Sequence, residues 1–246
     1  YLDKQQGGMV GIEQSYDEEL SGVDGVSNLM RLSNRWIRYE QVAPKDGKSI
    51  MSTIDIDIQD VAEHSLMKQL KKHNAHHGVA ILMEVKTGAV RAIVNLHRNA
   101  QNQYIEDHYN YAIGEVSEPG STFKLASVIA GLEDGLFDLD DTINTYKGAF
   151  RYYDRIMRDS KEGGHGVVTL RKGFELSSNI AISRMIEKAY GKHPDRFVER
   201  LKDMGLADSL EIEIKGAGHS MIKDPSDKTW SGITLPASSS TRACRF

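Results

Sequence analysis

Apolar positions along the chain switch between two periods. Thr53-Ile54-Asp55-Ile56-Asp57 alternates like the end of a strand, and Asp57 then stands where a cap would open a helix over 58–73, with Val61, Leu66 and Leu70 on its apolar face. Gly78-Val79-Ala80-Ile81-Leu82-Met83-Glu84-Val85 and Ala89-Val90-Arg91-Ala92-Ile93-Val94 are β-rich runs joined by Lys86-Thr87-Gly88, which predicts a hairpin. Glu118-Pro119-Gly120-Ser121 breaks off abruptly at an apolar helical segment, Thr122 to Leu132. A mixed, turn-rich stretch runs to Gly166. Three helical segments follow: 170–176 capped by Thr169, 179–189, and 194–204 with Pro194 in its first turn. The first fifty residues are polar and punctuated by glycine. They hold one short helical pattern, Ile12 to Leu20, whose Glu13, Asp17, Glu18 and Glu19 suit a solvated helix in a linker or small subdomain. No internal repeat is present. A hairpin, a helix and then a helical insertion predict an α+β fold, an antiparallel sheet with packed helices and a helical subdomain.

Composition narrows the function. Among 246 residues, Lys plus Arg number 31 and Asp plus Glu 35, giving a formal net charge of -4 and no basic excess for a nucleic-acid backbone. Hydrophobic residues at 39% and charged residues at 27% describe a folding chain rather than a disordered one. Cys244 is the single cysteine, so an internal disulfide and a cysteine-rich zinc site are both excluded. The longest apolar run, Val79 to Met83, is too short to span a bilayer. The chain starts at Tyr1 and reads as a fragment or processed chain, with any membrane anchor outside it. His73, His76 and His77 straddle a predicted helix end without a carboxylate spaced to complete a metal site. No metal is expected. His165 sits in a glycine-rich loop before the Ser177 region and leaves two readings, a plain turn and a residue of the substrate cleft.

Two short motifs carry candidate chemistry. Ser121-Thr122-Phe123-Lys124 is an S-x-x-K. Pro119-Gly120 places Ser121 at the start of a helix, near unsatisfied backbone N–H groups and the positive end of the helix dipole. Lys124 falls on the same helical face, where a buried amine with a lowered pKa could take the serine proton. The spacing alone is weak, since Ser65 to Lys68 and Ser220 to Lys223 repeat it without that setting. Ser177-Ser178-Asn179, between two predicted helices, is an S-x-N in which Ser177 could relay a proton and Asn179 could orient a substrate amide. As a plain alternative, Ser178 or Asn179 serves as a helix cap.

S-x-x-K followed by S-x-N resembles the penicillin-binding transpeptidases and serine β-lactamases. The flanks are similar to class B penicillin-binding proteins: Glu118 to Lys124 to the active-serine segment, the Val79–Val94 hairpin, and Thr53-Ile54-Asp55 with Gln59 to the entry of the transpeptidase domain. Gly11-Ile12-Glu13, Tyr16-Asp17 and Gly22 to Gly25 resemble the end of a preceding non-catalytic domain. The resemblance implies three segments: 1–51 as the end of a pedestal domain, 52–236 as a partial transpeptidase domain, and 237–246 as an anomalous tail resembling a frameshifted or vector-derived end. It implies catalytic Ser121, Lys124 and Ser177, substrate-binding Asn179, and no cofactor. Peptidoglycan stem peptides and β-lactam antibiotics are the implied ligands. Cell-division or elongation proteins are the implied partners, at the outer face of the cytoplasmic membrane.

The family's third motif, K-T-G, lies on a strand after S-x-N. None of the 67 residues after Asn179 reads K-T-G. The expectation is therefore a chain that stops before that motif and is inactive as it stands. Lys86-Thr87-Gly88 precedes Ser121 and is expected to be a turn, with Gly88 at positive φ. The same residues leave two other readings: a class D-like β-lactamase or β-lactam sensor, and a non-catalytic divisome scaffold.

Overall fold

Asp55 opens the first long helix. Its side chain accepts from the N–H groups of Asp57 and Ile58 at 3.1 and 3.2 Å, which moves the cap two residues upstream of the expected Asp57. The computed structural model describes residues 2–3, 7–8, 10–33, 35–106, 109–238 and 244–245, and their contacts divide into two compact units. The first comprises residues 1–115 with 211–217, the second 116–210 with 218–246.

The first unit begins with the two-residue strands β1 (Leu2–Asp3) and β2 (Gly7–Gly8), followed by helices α1 (Gly11–Ser15) and α2 (Asp17–Leu20). The expected single helix over 12–20 is broken because Tyr16 leaves helical geometry, at φ -118° and ψ 26°. Strands β3 (Val26–Leu32) and β4 (Arg35–Val42) then form an antiparallel hairpin in a stretch expected to be irregular. Trp36, Ile37, Tyr39 and Val42 favour extended backbone, although both faces of this ribbon stay exposed.

Helix α3 (Ile56–His73) packs on an antiparallel sheet ordered β5 (His77–Met83), β6 (Val90–Arg98), β7 (Tyr104–Glu106). Leu70, Val94, Leu96 and Tyr104 form the buried seam, with Leu66 and Met67 against it. Residues 53–55 do not continue a strand. They hang on β6 through Asp55 N–H to the Arg91 carbonyl, at 2.9 Å, and Thr53 Oγ1 to the Val90 carbonyl, at 2.8 Å. The Gln59 amide donates to the Ile93 carbonyl and accepts from its N–H, both at 2.9 Å, and so fixes α3 against the sheet. Helix α4 (Tyr111–Gly114) follows, and residues 211–217 return to this unit.

The second unit is mainly helical. A 3-10 turn (Gly120–Thr122) leads into α5 (Phe123–Glu133). Strands β8 (Thr142–Asn144), β9 (Ala149–Tyr152), β10 (Arg155–Arg158) and β11 (Val167–Thr169) follow. They pair antiparallel as β8 with β11 and β9 with β10. Helices α6 (Leu170–Glu175), α7 (Asn179–Tyr190) and α8 (Pro194–Asp203) lie within a residue of their expected limits. Strand β12 (Met221–Ile222), helix α9 (Thr234–Ser238) and strand β13 (Cys244–Arg245) complete the order. Of the tail expected over 237–246, residues 239–243 and 246 lie outside the described residues.

The core of this unit joins α5 to α7 and α8 through Phe123, Val128, Ile182, Met185, Ile186, Phe197 and Leu201. Tyr190, 1% exposed, shares its one hydroxyl proton between the Ala130 carbonyl at 2.9 Å and Asp134 at 2.7 Å, which ties α7 to the end of α5. Gly173 brings α6 close to α7: a Cβ there would stand 2.6 Å from the Ala181 Cβ. The two helices are thereby held at the spacing that forms the turn between them.

Candidate active site

Ser121 lies in the 3-10 turn rather than in α5 itself. Gly120 takes φ +62°, which lets the chain double back from Pro119, and Thr122 Oγ1 bonds the Pro119 carbonyl at 2.6 Å. Ser121 is exposed, while Phe123 and Lys124 point into the core at 5% and 1% exposure. The sequence Ser-Thr-Phe-Lys thus sets an accessible hydroxyl above a buried amine.

Lys124 Nζ makes three contacts: Ser121 Oγ at 3.2 Å, Ser177 Oγ at 3.0 Å and the Ser177 carbonyl at 2.7 Å. Burial pushes the amine down to about 8, an effect that the negative charge of Asp159 opposes. Ser177 reaches Lys124 because the chain leaves α6 through a left-handed residue. Its φ is +52°, uncommon for a side chain other than glycine, asparagine or aspartate. The N–H groups of Ser177 and Ser178 donate to the carbonyls of Phe174 and Gly173, which satisfies the end of α6.

Ser178 caps α7 by accepting from Ala181 N–H at 3.0 Å, so the plain alternative for this residue holds. Asn179 turns its amide nitrogen to the Arg158 carbonyl at 2.8 Å. Its amide oxygen takes no hydrogen bond from any described residue. A cavity of about 520 Å3 opens beside it, between β10 and the segment containing Ile233 and Ala237.

Asp159 escaped the sequence reading. Its carboxylate accepts from Ser178 Oγ at 3.0 and 2.9 Å and from Ile180 N–H at 3.1 Å, at the positive end of α7. Nothing in the spacing marks it. The available signal was the short strand-like run Arg155 to Arg158 that ends on it.

The other candidates fall elsewhere. Lys86-Thr87-Gly88 forms the β5–β6 turn: Thr87 and Gly88 N–H donate to the Glu84 carbonyl, and Gly88 takes φ +74°. Arg91 and Thr87 bond the Glu84 carboxylate and hold it below its ordinary range. Ser65 and Lys68 are an exposed pair in the middle of α3, and Ser220 precedes β12. His165 sits in a turn with positive φ at Gly163, Gly164 and Gly166, its N–H bonded to Thr145 Oγ1 at 3.0 Å. His77 stacks on Tyr111 at 4.3 Å and pairs with Glu115 at 3.1 Å. Among the described residues no group of three or more His, Cys, Asp and Glu side chains is placed to hold a metal ion.

The family model for the penicillin binding protein transpeptidase domain matches residues 78–241, two thirds of the chain. The chain belongs to this family. The transpeptidase match takes in the Ser121, Lys124 and Ser177–Asn179 segments together. Penicillin-binding protein PbpB of Mycolicibacterium smegmatis is 28% identical over 246 residues, covering 95% of this chain and 37% of that protein. The probable peptidoglycan D,D-transpeptidase PenA of Neisseria flavescens is 30% identical over 188 residues, covering 72% of this chain and 46% of that protein. The chain therefore spans less than half the length of these relatives. Penicillin binding protein 3 from Mycobacterium tuberculosis shares the fold, with a TM-score of 0.78 at 24% identity over all of this chain and 52% of that one.

Proposed function

We propose that this chain carries the nucleophile half of a D,D-transpeptidase site, with Ser121 as nucleophile, Lys124 as base, Ser177 as proton relay and Asn179 as a substrate contact. The observation that carries the reading is the buried Lys124 amine bridging the hydroxyls of Ser121 and Ser177. A protonated lysine fills all three contacts as a donor. A neutral one has two N–H bonds and a lone pair. The Ser177 carbonyl can only accept, so the lone pair is left to accept a hydrogen bond from one of the two hydroxyls. When that hydroxyl belongs to Ser121, its oxygen is prepared for attack.

The substrate is a peptidoglycan stem peptide ending in D-Ala–D-Ala. Ser121 Oγ attacks the carbonyl between the two alanines and its proton passes to Lys124. The C–N bond then breaks, and the departing D-Ala amine takes a proton delivered through Ser177. An acyl-serine remains. The amine of a neighbouring stem peptide attacks it, restores the Ser121 hydroxyl and forms the crosslink. A β-lactam acylates the same oxygen by ring opening. The amide oxygen of Asn179 accepts from a substrate N–H in the adjoining cavity. The relatives' names, peptidoglycan D,D-transpeptidase among them, support a peptidoglycan substrate, and the proposed place of action is the outer face of the cytoplasmic membrane. Proteins of division or elongation are its proposed partners.

The test is a fluorescent penicillin with mass spectrometry of the adduct. The expected result is labelling confined to Ser121 and lost in Ser121→Ala. An adduct on another residue, or one that survives Ser121→Ala, overturns the reading.

A further inference from the structure

We propose that Asp159 is a positioning residue of this site: its carboxylate clamps the Ser177–Asn179 turn to the start of α7 and serves as the anionic counterpart of the Lys124 amine. The assignment rests on the reading of Lys124 as the base.

The clamp is explicit. Asp159 receives Ser178 Oγ on both oxygens and Ile180 N–H on one, so a single side chain holds the residue after Ser177 and the first turn of α7. It is itself fixed by its own N–H, which donates to the Gly148 carbonyl at 3.0 Å. A bond to a charged acceptor at a helix N-terminus is among the stronger ones. Ser177 owes its place against Lys124 to a left-handed backbone, which persists only where neighbouring bonds hold it.

The electrostatic part follows from what surrounds the amine. The partners that the 3-10 turn before α5 and the α6–α7 turn bring to it are neutral: Ser121 Oγ, and the Oγ and carbonyl of Ser177. Among the described residues, the ionised group that acts on it is Asp159, which makes no direct bond to it. Burial favours the neutral amine and so weakens it as a base. The carboxylate opposes that and keeps the proton affinity near the working range, where a general base is most effective.

The test reads Lys124 itself and needs no turnover. The chain is labelled at lysine Cε with 13C, the Lys124 signal is assigned with Lys124→Arg, and its shift is followed against pH. The native midpoint is expected near 8. In Asp159→Asn it should fall by at least about half a pH unit, and Asp159→Glu should bring it back towards the native value. Asp159→Ser supplies a second neutral side chain should the asparagine variant fail to fold. A midpoint that stays at the native value in a folded neutral variant overturns the proposal, as does a glutamate variant that titrates like the neutral ones. Penicillin labelling of Ser121 reads the proposed function separately. A displaced Lys124 midpoint without labelling leaves Asp159 in its role and removes the transpeptidase reading. Labelling with an unmoved midpoint does the reverse.

Discussion

Lys124 and Lys86 both stand in sequences that match penicillin-binding motifs, S-x-x-K and K-T-G, and the fold treats them oppositely. Lys124 is 1% exposed, enclosed by the α5 and α7 packing, and bonded to two hydroxyls and a carbonyl. Lys86 is exposed in the β5–β6 turn, where the neighbouring Thr87 and Gly88 are committed to closing the loop on Glu84. The motif letters do not distinguish a buried, bonded amine from an exposed turn. Removal from water does, because it lowers the cost of the neutral amine and aims it at particular oxygens.

The largest effect that could break this contrast is on acylation. Lys124→Ala should cut the rate of Ser121 labelling by about 10² or more, the scale of a lost general base, while Lys86→Ala should leave it within a factor of about two. A time course of fluorescent penicillin incorporation checks both. Equal losses in the two variants would erase the distinction drawn here.

The pH dependence sharpens it. With the Lys124 amine at about 8, labelling should climb with pH below that value and level off above it. Stability should follow the same group. Between about 8 and the ordinary lysine value near 10.5 the unfolded chain binds the proton that the folded chain has lost, so unfolding free energy rises with pH across that window. Denaturant midpoints of the native chain and Lys124→Met, measured from pH 7.5 to 10, should diverge in slope. Parallel curves would mean that the amine is not depressed.

Smaller effects test the supports. Gly173→Ala puts a Cβ 2.6 Å from that of Ala181, and should cost about 1–3 kcal/mol and slow labelling as the S-x-N turn shifts. Asp55→Ala removes the cap of α3 and should cost about 0.5–2 kcal/mol, seen as a lower denaturant midpoint. Because Asp55 belongs to the unit without Ser121, its loss should leave the labelling rate of the folded chain unchanged.

The sequence made some of this legible. Helices α6, α7 and α8 were readable because Thr169, Ser178 and Pro194 mark their starts and their apolar residues repeat at helical spacing. The β5–β6 hairpin was readable from its two β-branched runs. The shift of the cap from Asp57 to Asp55 comes from alternation in Thr53 to Asp57 that mimics a strand, whereas the structure uses those residues as a strap on β6. The β3–β4 and β9–β10 hairpins were missed because arginine, serine and asparagine dilute their apolar pattern and neither carries a two-residue glycine turn. Within the site, Ser121 to Lys124 is local and visible. Ser177 to Lys124 spans 53 residues and Asp159 to Ser178 spans 19, so both contacts exist only once α5, β10 and α7 have packed.

The positive φ of Ser177 also constrains how this position can change. Threonine would keep the hydroxyl but carries a branched Cβ that tolerates this backbone poorly, whereas glycine or asparagine fits the backbone and lacks the hydroxyl. The chemically closest replacement is thus expected to be the less stable one. Ser177→Gly and Ser177→Asn are therefore expected to keep the turn and lose the hydroxyl that Lys124 bonds, so that the architecture outlasts the contact.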